Sequence, residues 1–407
     1  MRFIVFTTRL IISIFYQLHG HLIYQLALVE RHFFRVFPHF HDFFLYYMHI
    51  LVIQDYLRCG GTEMQSISLT AGFHDSGWNA TLLTLRPKGP LFPKVLKKNI
   101  RVQSLQPFDL KINWLHPGLV RAIGQLNPDV ILLMGRTANC LGNKISRNFS
   151  TIPVIGTLRT GRRLPLAYHN FLKHCSHIVA NSNWAANQLK ERDIPDRKIS
   201  VIPNGNVCDL NFENRVEIRK TIREKFNVPL ETTVFLKIAA FIPGKNHDEL
   251  FKILQRVDKP FELWLAGNGP TENTCKRHVA NLNLKGTTRF LGQIPELSGL
   301  YFGSDVALLT SQEESMPNFI VESQTAGLPV VAYDCAGVSE TFIPDESGFL
   351  VKQGDRNTFL HQLEILHNNI QLRQSMGAKG RSWALEKFDP TERLQDYMRI
   401  ISRIVSR

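Results

Sequence analysis

Cysteine is scarce in this sequence and never paired. The six cysteines, Cys59, Cys140, Cys175, Cys208, Cys275 and Cys335, fall into no Cys-x-x-Cys spacing. That excludes a disulfide framework and the common zinc sites, and they read as reduced, mostly buried thiols. Zinc-finger patterns, aromatic-basic RNP motifs and Arg/Lys blocks are missing too, so the sequence gives no sign of a nucleic-acid partner. The N-terminus lacks a small-residue cleavage site after a short apolar core, which argues against a secretory signal. Positive charge, by contrast, is plentiful: 48 Lys and Arg stand against 35 Asp and Glu, a net charge of +13. Such an excess suits anionic partners, such as nucleotide diphosphates or an anionic lipid leaflet. At 407 residues, 44% of them hydrophobic, the chain has material for two domains with a core each.

Residues 1–47 differ from the rest of the chain, being dense in Phe, Tyr, Leu, Ile and His. Leu10 to Val29 carries no Lys, Arg, Asp or Glu and is long enough to span a bilayer. Gln17, His19, Gly20, His21 and Gln25 near its middle weaken a spanning role. Three readings stay open: an interfacial membrane-attachment segment, an upstream stretch ahead of the true start, and a transmembrane helix. Met48-His49-Ile50-Leu51-Val52-Ile53 has the form of a natural first strand.

The most informative stretch runs from Leu308 to Tyr333. Val306 to Leu309 reads as a buried parallel strand, Thr310 to Pro317 as a polar loop, and Asn318 to Ala326 as a helix stopped by Gly327. Val330 to Tyr333 comes next as a second strand, making a βαβ unit. The helix begins with free backbone N–H groups, which suit a phosphate or diphosphate. Glu314 in the loop and Glu322 one turn into the helix flank that terminus, with seven residues between them.

These two glutamates, with Met316-Pro317-Asn318 between them and Ala326-Gly327-Leu328-Pro329-Val330-Val331 after, resemble the donor-site signature of retaining GT-B glycosyltransferases of family GT4. The resemblance implies that Glu322 holds the ribose of a nucleotide sugar. It places Glu314 on the sugar, and the backbone of Met316, Pro317, Asn318 and Phe319 on the diphosphate. Further blocks keep the family's order across residues 48–407. Arg58-Cys59-Gly60-Gly61-Thr62-Glu63 resembles the glycine turn over the donor diphosphate, with Gly60 and Gly61 able to approach a ligand closely. Gln293 and Ile294 fall where relatives meet the nucleotide base. Gly337-Val338-Ser339-Glu340 resembles a turn beside the donor, with Ala336 in place of its first glycine.

Two departures bear on activity. Ala240 stands where the family has an arginine that shares the donor phosphates with a lysine, here Lys245. Arg159 stands where many members have a histidine, and an arginine cannot act as a general base. Its fork can bind a phosphate or an acidic acceptor; either Arg58 or Arg159 substitutes for the lost cation, or the donor binds more weakly.

The implied fold is α/β: two Rossmann-like domains facing across a cleft. The acceptor domain is expected over 48–205 and the donor domain over 206–388. Residues 389–407 form a helix that crosses back to the first domain. Asp389-Pro390-Thr391-Glu392 has the form of a helix start, and Leu394, Tyr397, Met398, Ile401, Ile404 and Val405 share one face. Arg86 to Lys98 reads as an exposed basic loop near the acceptor or a membrane.

The implied activity is transfer of a UDP- or GDP-linked sugar to a glycan or lipid-linked acceptor, in surface polysaccharide or glycolipid assembly. Glu314 and Lys245 serve the reaction. No Asp-x-Asp occurs, so no metal and no cofactor is expected. A cytoplasmic location is implied, peripheral at the inner face of the plasma membrane. An epimerase or phosphorylase on the same fold, or a weakly active nucleotide-sugar-binding protein, remains the alternative.

Overall fold

The computed structural model describes residues 48–406 apart from 88, 113–115, 207, 209 and 295. The three readings of residues 1–47 therefore lie outside the described residues. Two separate parallel sheets make the frame. The first contains β1 (His49–Gln54), β2 (Asn79–Thr84), β3 (Arg101–Ser104), β4 (Val130–Leu133), β5 (Val154–Leu158), β6 (His177–Ala180) and β7 (Ile199–Val201), in the order β3-β2-β1-β4-β5-β6-β7. The second contains β8 (Val234–Ile238), β9 (Glu262–Ala266), β10 (Thr287–Gly292), β11 (Val306–Leu309), β12 (Val330–Asp334) and β13 (Gly348–Lys352), in the order β10-β9-β8-β11-β12-β13. Each order reverses direction once, between β1 and β4 and between β8 and β11. Such reversals open a crevice at the carboxyl ends of the strands.

The strand sequences explain the double burial. β1 reads His-Ile-Leu-Val-Ile-Gln and β11 reads Val-Ala-Leu-Leu, apolar runs without alternation, as strands covered on both faces require. Along β1, Leu51 and Ile53 enter one apolar cluster while Ile50 and Val52 enter the one on the opposite face. Along β11, Val306 and Leu308 divide from Ala307 and Leu309 in the same way.

The C-terminal helix, Pro390–Val405, returns to the first sheet. Asp389 caps it, accepting from Thr391 N at 2.7 Å and Glu392 N at 2.9 Å. Tyr397 and Ile401 join the cluster that holds Ile50 and Val52. Gly72, in the helix Gly61–Asp75, leaves room there, since a Cβ on it would come within 2.6 Å of Leu394 Cδ2. The crossing expected from the sequence is thus present.

Two expectations need correction. Arg86 to Lys98 is not simply an exposed loop. Phe92–Lys97 is a short helix with Pro93 in its first turn, and Leu91 and Val95, four residues apart, bury their side chains together with the first sheet's core. The cysteines are also less buried than expected: Cys175, Cys275 and Cys335 are buried, Cys140 and Cys208 are half-buried, and Cys59 is exposed.

Candidate active site

The crevice of the second sheet is built from two loops, one after β8 and one after β11. Gln312 N donates to Gly244 O at 2.9 Å and ties them together. In the first loop Pro243–Lys245 makes one tight turn, and Asn246 at φ +50° ends it in the left-handed region that asparagine tolerates. Lys245 is thereby aimed across the crevice, and its Nζ lies 2.5 Å from Glu314 Oε1. The pair is largely shielded from water, with side-chain exposures of 23% and 10%, so its field is screened less than that of a surface pair.

The helix Asn318–Thr325 starts beside this pair. Pro317 occupies its N-cap position and no side chain caps it. The matching place in the first sheet is filled differently. There Asp55, at the end of β1, accepts from Thr137 N at 2.9 Å and Ala138 N at 2.8 Å, so the chain's own carboxylate occupies the helix start after β4. At the second sheet's helix start no carboxylate takes that place, and an uncapped start of this kind suits an anion.

Glu322 is one turn in, with only 9% of its surface exposed. Tyr301, in the helix Ser298–Gly303, donates its hydroxyl to Glu322 Oε2 at 2.5 Å. Burial pushes the Glu322 carboxyl up to about 7, while the Tyr301 hydrogen bond and the nearby Lys94 charge pull it down. Tyr301 itself is pushed well above the usual phenol range by burial and the carboxylate beside it.

The first sheet's loops press on this site directly. Gly61 O accepts from Asn318 Nδ2 at 3.4 Å, and a side chain at Gly61 would run into that amide. Asn204 donates to Asn318 Oδ1 at 2.5 Å and Met316 O at 3.3 Å. Gly161 lies against the Glu314 backbone, where a Cβ would come within 2.5 Å of the carbonyl oxygen. Ser315 donates to Asn181 Oδ1 at 2.5 Å. Glu340 spans the domains, accepting from Asn183 N at 2.8 Å and Trp184 N at 2.9 Å at the start of the helix Asn183–Lys190.

Both halves of this site match family profiles. "Glycosyltransferase Family 4" matches residues 59–209 and "Glycosyl transferases group 1" matches residues 218–383. The chain belongs to the GT4-type, GT-B glycosyltransferases. An uncharacterised glycosyltransferase of Haemophilus influenzae is 24% identical over 79% of this chain and 91% of its own length. The lipopolysaccharide core biosynthesis glycosyltransferase LpsE of Rhizobium meliloti is 23% identical over 57% and 66%. Among solved structures, Anabaena Alr3699/HepE in complex with UDP and glucose superposes with a TM-score of 0.77 at 20% identity, over 87% of this chain and 99% of the other.

In this glycosyltransferase the remaining sequence candidates have definite places. Met316 and Phe319 are buried beneath the crevice, at 6% and 7% exposure. Gln293 Oε1 accepts from Asn268 Nδ2 at 3.3 Å, at the mouth of the second sheet, and Ile294 packs on that sheet's apolar core. Arg58 pairs with Glu63, Nε to Oε1 at 3.0 Å, beside Gly60. Burial raises the Glu63 carboxyl to about 7 against the pull of Arg58. Arg159 donates to Asn204 Oδ1 at 2.5 Å and Tyr397 Oη at 3.2 Å. Both arginines thus hold protein partners, Arg159 on the chain of amides that joins the domains.

Sequence reasoning missed Tyr301, Asn204 and the carboxyl of Glu63. The turn holding Glu340 lies against Ser315 in the second domain, and the carboxylate's reach to Asn183 and Trp184 of the first domain is not visible in the sequence. Pro203-Asn204-Gly205 was a visible block, yet nothing in it says that Asn204 faces Met316 and Asn318 across the cleft. Among the described residues no helix is long and apolar enough to cross a membrane.

Proposed function

We propose that this glycosyltransferase takes a UDP-linked sugar and transfers it, with retention at the anomeric carbon and without a divalent metal, to a glycan or lipid-linked acceptor of a surface polysaccharide or lipopolysaccharide. The observation that carries the donor assignment is the uncapped helix start at Asn318, with Lys245 and Glu314 on one side and Glu322 one turn inside. The diphosphate meets the free amides, the positive end of the helix and Lys245; the ribose hydroxyls meet Glu322; and the sugar lies towards Glu314. The UDP complexes of HepE and the lipopolysaccharide role in LpsE's name support the choice of nucleotide and acceptor class.

Chemically, the bond between the anomeric carbon and the diphosphate oxygen breaks as the acceptor oxygen adds from the same face. The acceptor proton passes to the departing diphosphate oxygen, which leaves the configuration unchanged. Lys245 and the helix amides are fixed before reaction and stabilise the charge that grows on the leaving group. No side chain forms a bond to the sugar in this scheme. The acceptor approaches from the first domain, past Gly60, Gly61 and Glu63. On that domain the exposed Lys97 and Lys98 follow Leu96, which is 63% exposed, and this mixture fits peripheral contact with an anionic membrane surface.

The test is a transfer assay with UDP- and GDP-sugars, run with and without EDTA, with the product anomer read by NMR. An α-linked product from a UDP-sugar, undiminished by EDTA, is the expected result. An inverted product, or activity that EDTA abolishes and Mg²⁺ or Mn²⁺ restores, overturns the mechanism. Turnover of the free nucleotide sugar without acceptor makes the protein an epimerase instead.

A further inference from the structure

One charged side chain at the floor of the crevice has no role in the scheme above. Lys237 lies in β8, in a strand whose other residues are Val, Phe, Leu and Ile, and it is fully buried. An ammonium is an unfavourable choice for such a position when an apolar side chain would pack there. Its Nζ donates to Thr310 Oγ1 at 2.7 Å. The Thr310 hydroxyl spends its own proton on Asn246 O at 2.9 Å, so its lone pair is turned towards the lysine. The chain of bonds therefore runs from the strand floor, through the first residue after β11, to the residue next to Lys245. It links the two loops that present Lys245 and Glu314.

We propose that Lys237 is a positioning residue for the donor: through Thr310 it sets the turn that carries Lys245, and its charge answers the diphosphate from beneath, in place of the cation missing at Ala240. The inference rests on the reading that the diphosphate lies at Lys245.

The surroundings give the charge a way to respond. Lys245 faces Lys237 from the turn, His247 from the helix His247–Leu254, Glu314 from the loop after β11, Cys275 from the helix Glu272–Ala280 and Cys335 from the end of β12. Burial, then the Lys245 charge, pulls the Lys237 ammonium down to about 7, and Glu314 works the other way. His247 is held down to about 2 by burial and by both lysines, so it stays neutral and adds no competing charge. Near neutral pH Lys237 is thus only partly protonated. A diphosphate entering a site of low dielectric favours its charged form and draws in a proton.

The experiment is calorimetric titration of the full chain with UDP and with GDP at pH 8, in two buffers of different ionisation enthalpy. Wild type, Lys237→Met, Thr310→Val and Lys245→Ala are compared. Wild type should take up a fraction of a proton on binding. Lys237→Met should lose that uptake and bind the diphosphate about tenfold more weakly, the equivalent of one pKa unit, with UMP or GMP affinity changed far less. Thr310→Val keeps the ammonium but removes its acceptor, and should weaken the diphosphate several-fold with uptake retained. This variant decides the matter if Lys237→Met does not fold. Diphosphate affinity within twofold of wild type in either variant overturns the proposal. If Lys245→Ala also binds normally, or neither nucleotide binds wild type, the donor reading itself falls; if only Lys245→Ala is impaired, the role of Lys237 alone is lost.

Discussion

At the scale of single residues, the site sets side chains against their environment. Glu322 is a buried carboxyl held by one phenol, and it is the group assigned to the ribose. Glu322→Ala should weaken UDP binding by about 1–3 kcal/mol, the range for a lost hydrogen bond to a charged group; unchanged affinity in calorimetry would remove the assignment. The raised carboxyl also leaves a pH signature. Its folded value, about 7, lies above the ordinary 4.5, so the folded protein holds this proton more tightly than the unfolded chain does. That stabilisation is complete below about 4.5 and is lost as pH rises through 7. Glu322→Gln, which never ionises, should therefore gain stability relative to wild type between pH 4.5 and 8, read as the difference in Tm across a pH series. A difference that stays flat would mean that the carboxyl titrates normally. Lys245 is judged by rate. Lys245→Ala should lower kcat/KM by about 10²–10³-fold, the scale of one lost donor to developing negative charge, and it also leaves Glu314 shielded without its partner. A variant within threefold of wild type would place the phosphate clamp elsewhere.

At the scale of elements, helix starts do two different jobs. Asp355, Asn369 and Asp389 each accept from amides of the helix that each precedes, so those ends are closed. The start at Asn318 has no side-chain cap, and the proposed donor site places the diphosphate there. The closed starts should behave as ordinary caps. Asp389→Ala should destabilise the protein by about 1 kcal/mol, lowering Tm by about 2–4 °C, while Asp389→Asn, which also caps, should sit close to wild type. Equal losses in the two variants would show that the Asp389 charge, rather than its capping oxygen, matters.

At the scale of the whole molecule, the two sheets are joined by the amide chain Arg159–Asn204–Asn318–Gly61, by Ser315 with Asn181, and by Glu340 on the helix Asn183–Lys190. Ser182 caps that helix locally through Ala185 N at 3.1 Å, and Glu340 adds a carboxylate from the other domain on the Asn183 and Trp184 amides. Glu340→Ala should weaken the closed arrangement by about 1 kcal/mol, on the scale of a cap, and enlarge the radius of gyration seen by small-angle scattering without ligand. An unchanged scattering curve and donor affinity would show that closure does not depend on it. Met48, just ahead of β1, is 4% exposed, and its carbonyl accepts from Asn79 N at 3.0 Å. A chain starting at Met48 should fold and turn over a soluble acceptor within about twofold of the full chain. Insolubility or inactivity would make residues 1–47 part of the working structure.

Much of this was already legible in the sequence, because it depends on local chemistry. Apolar runs such as Ile50–Ile53 and Val306–Leu309 require strands buried on both faces. Asp389-Pro390 requires a helix start. Glu314 and Glu322, set apart by a loop and one helical turn, belong on the same crevice. What the tertiary structure decided is which groups from distant segments meet, and what their burial does to them. Lys245 finds Glu314 only because the strand order reverses between β8 and β11. Leu91 and Val95 are buried only because the first sheet lies beneath them. Tyr301 reaches Glu322, Asn204 reaches Asn318, and Lys237 lies under the crevice, because packing brings these segments together. A linear pattern of residue types records how a segment prefers to fold; it does not record the dielectric around a carboxyl or an ammonium, and that quantity moves Glu63, Glu322 and Lys237 towards neutrality.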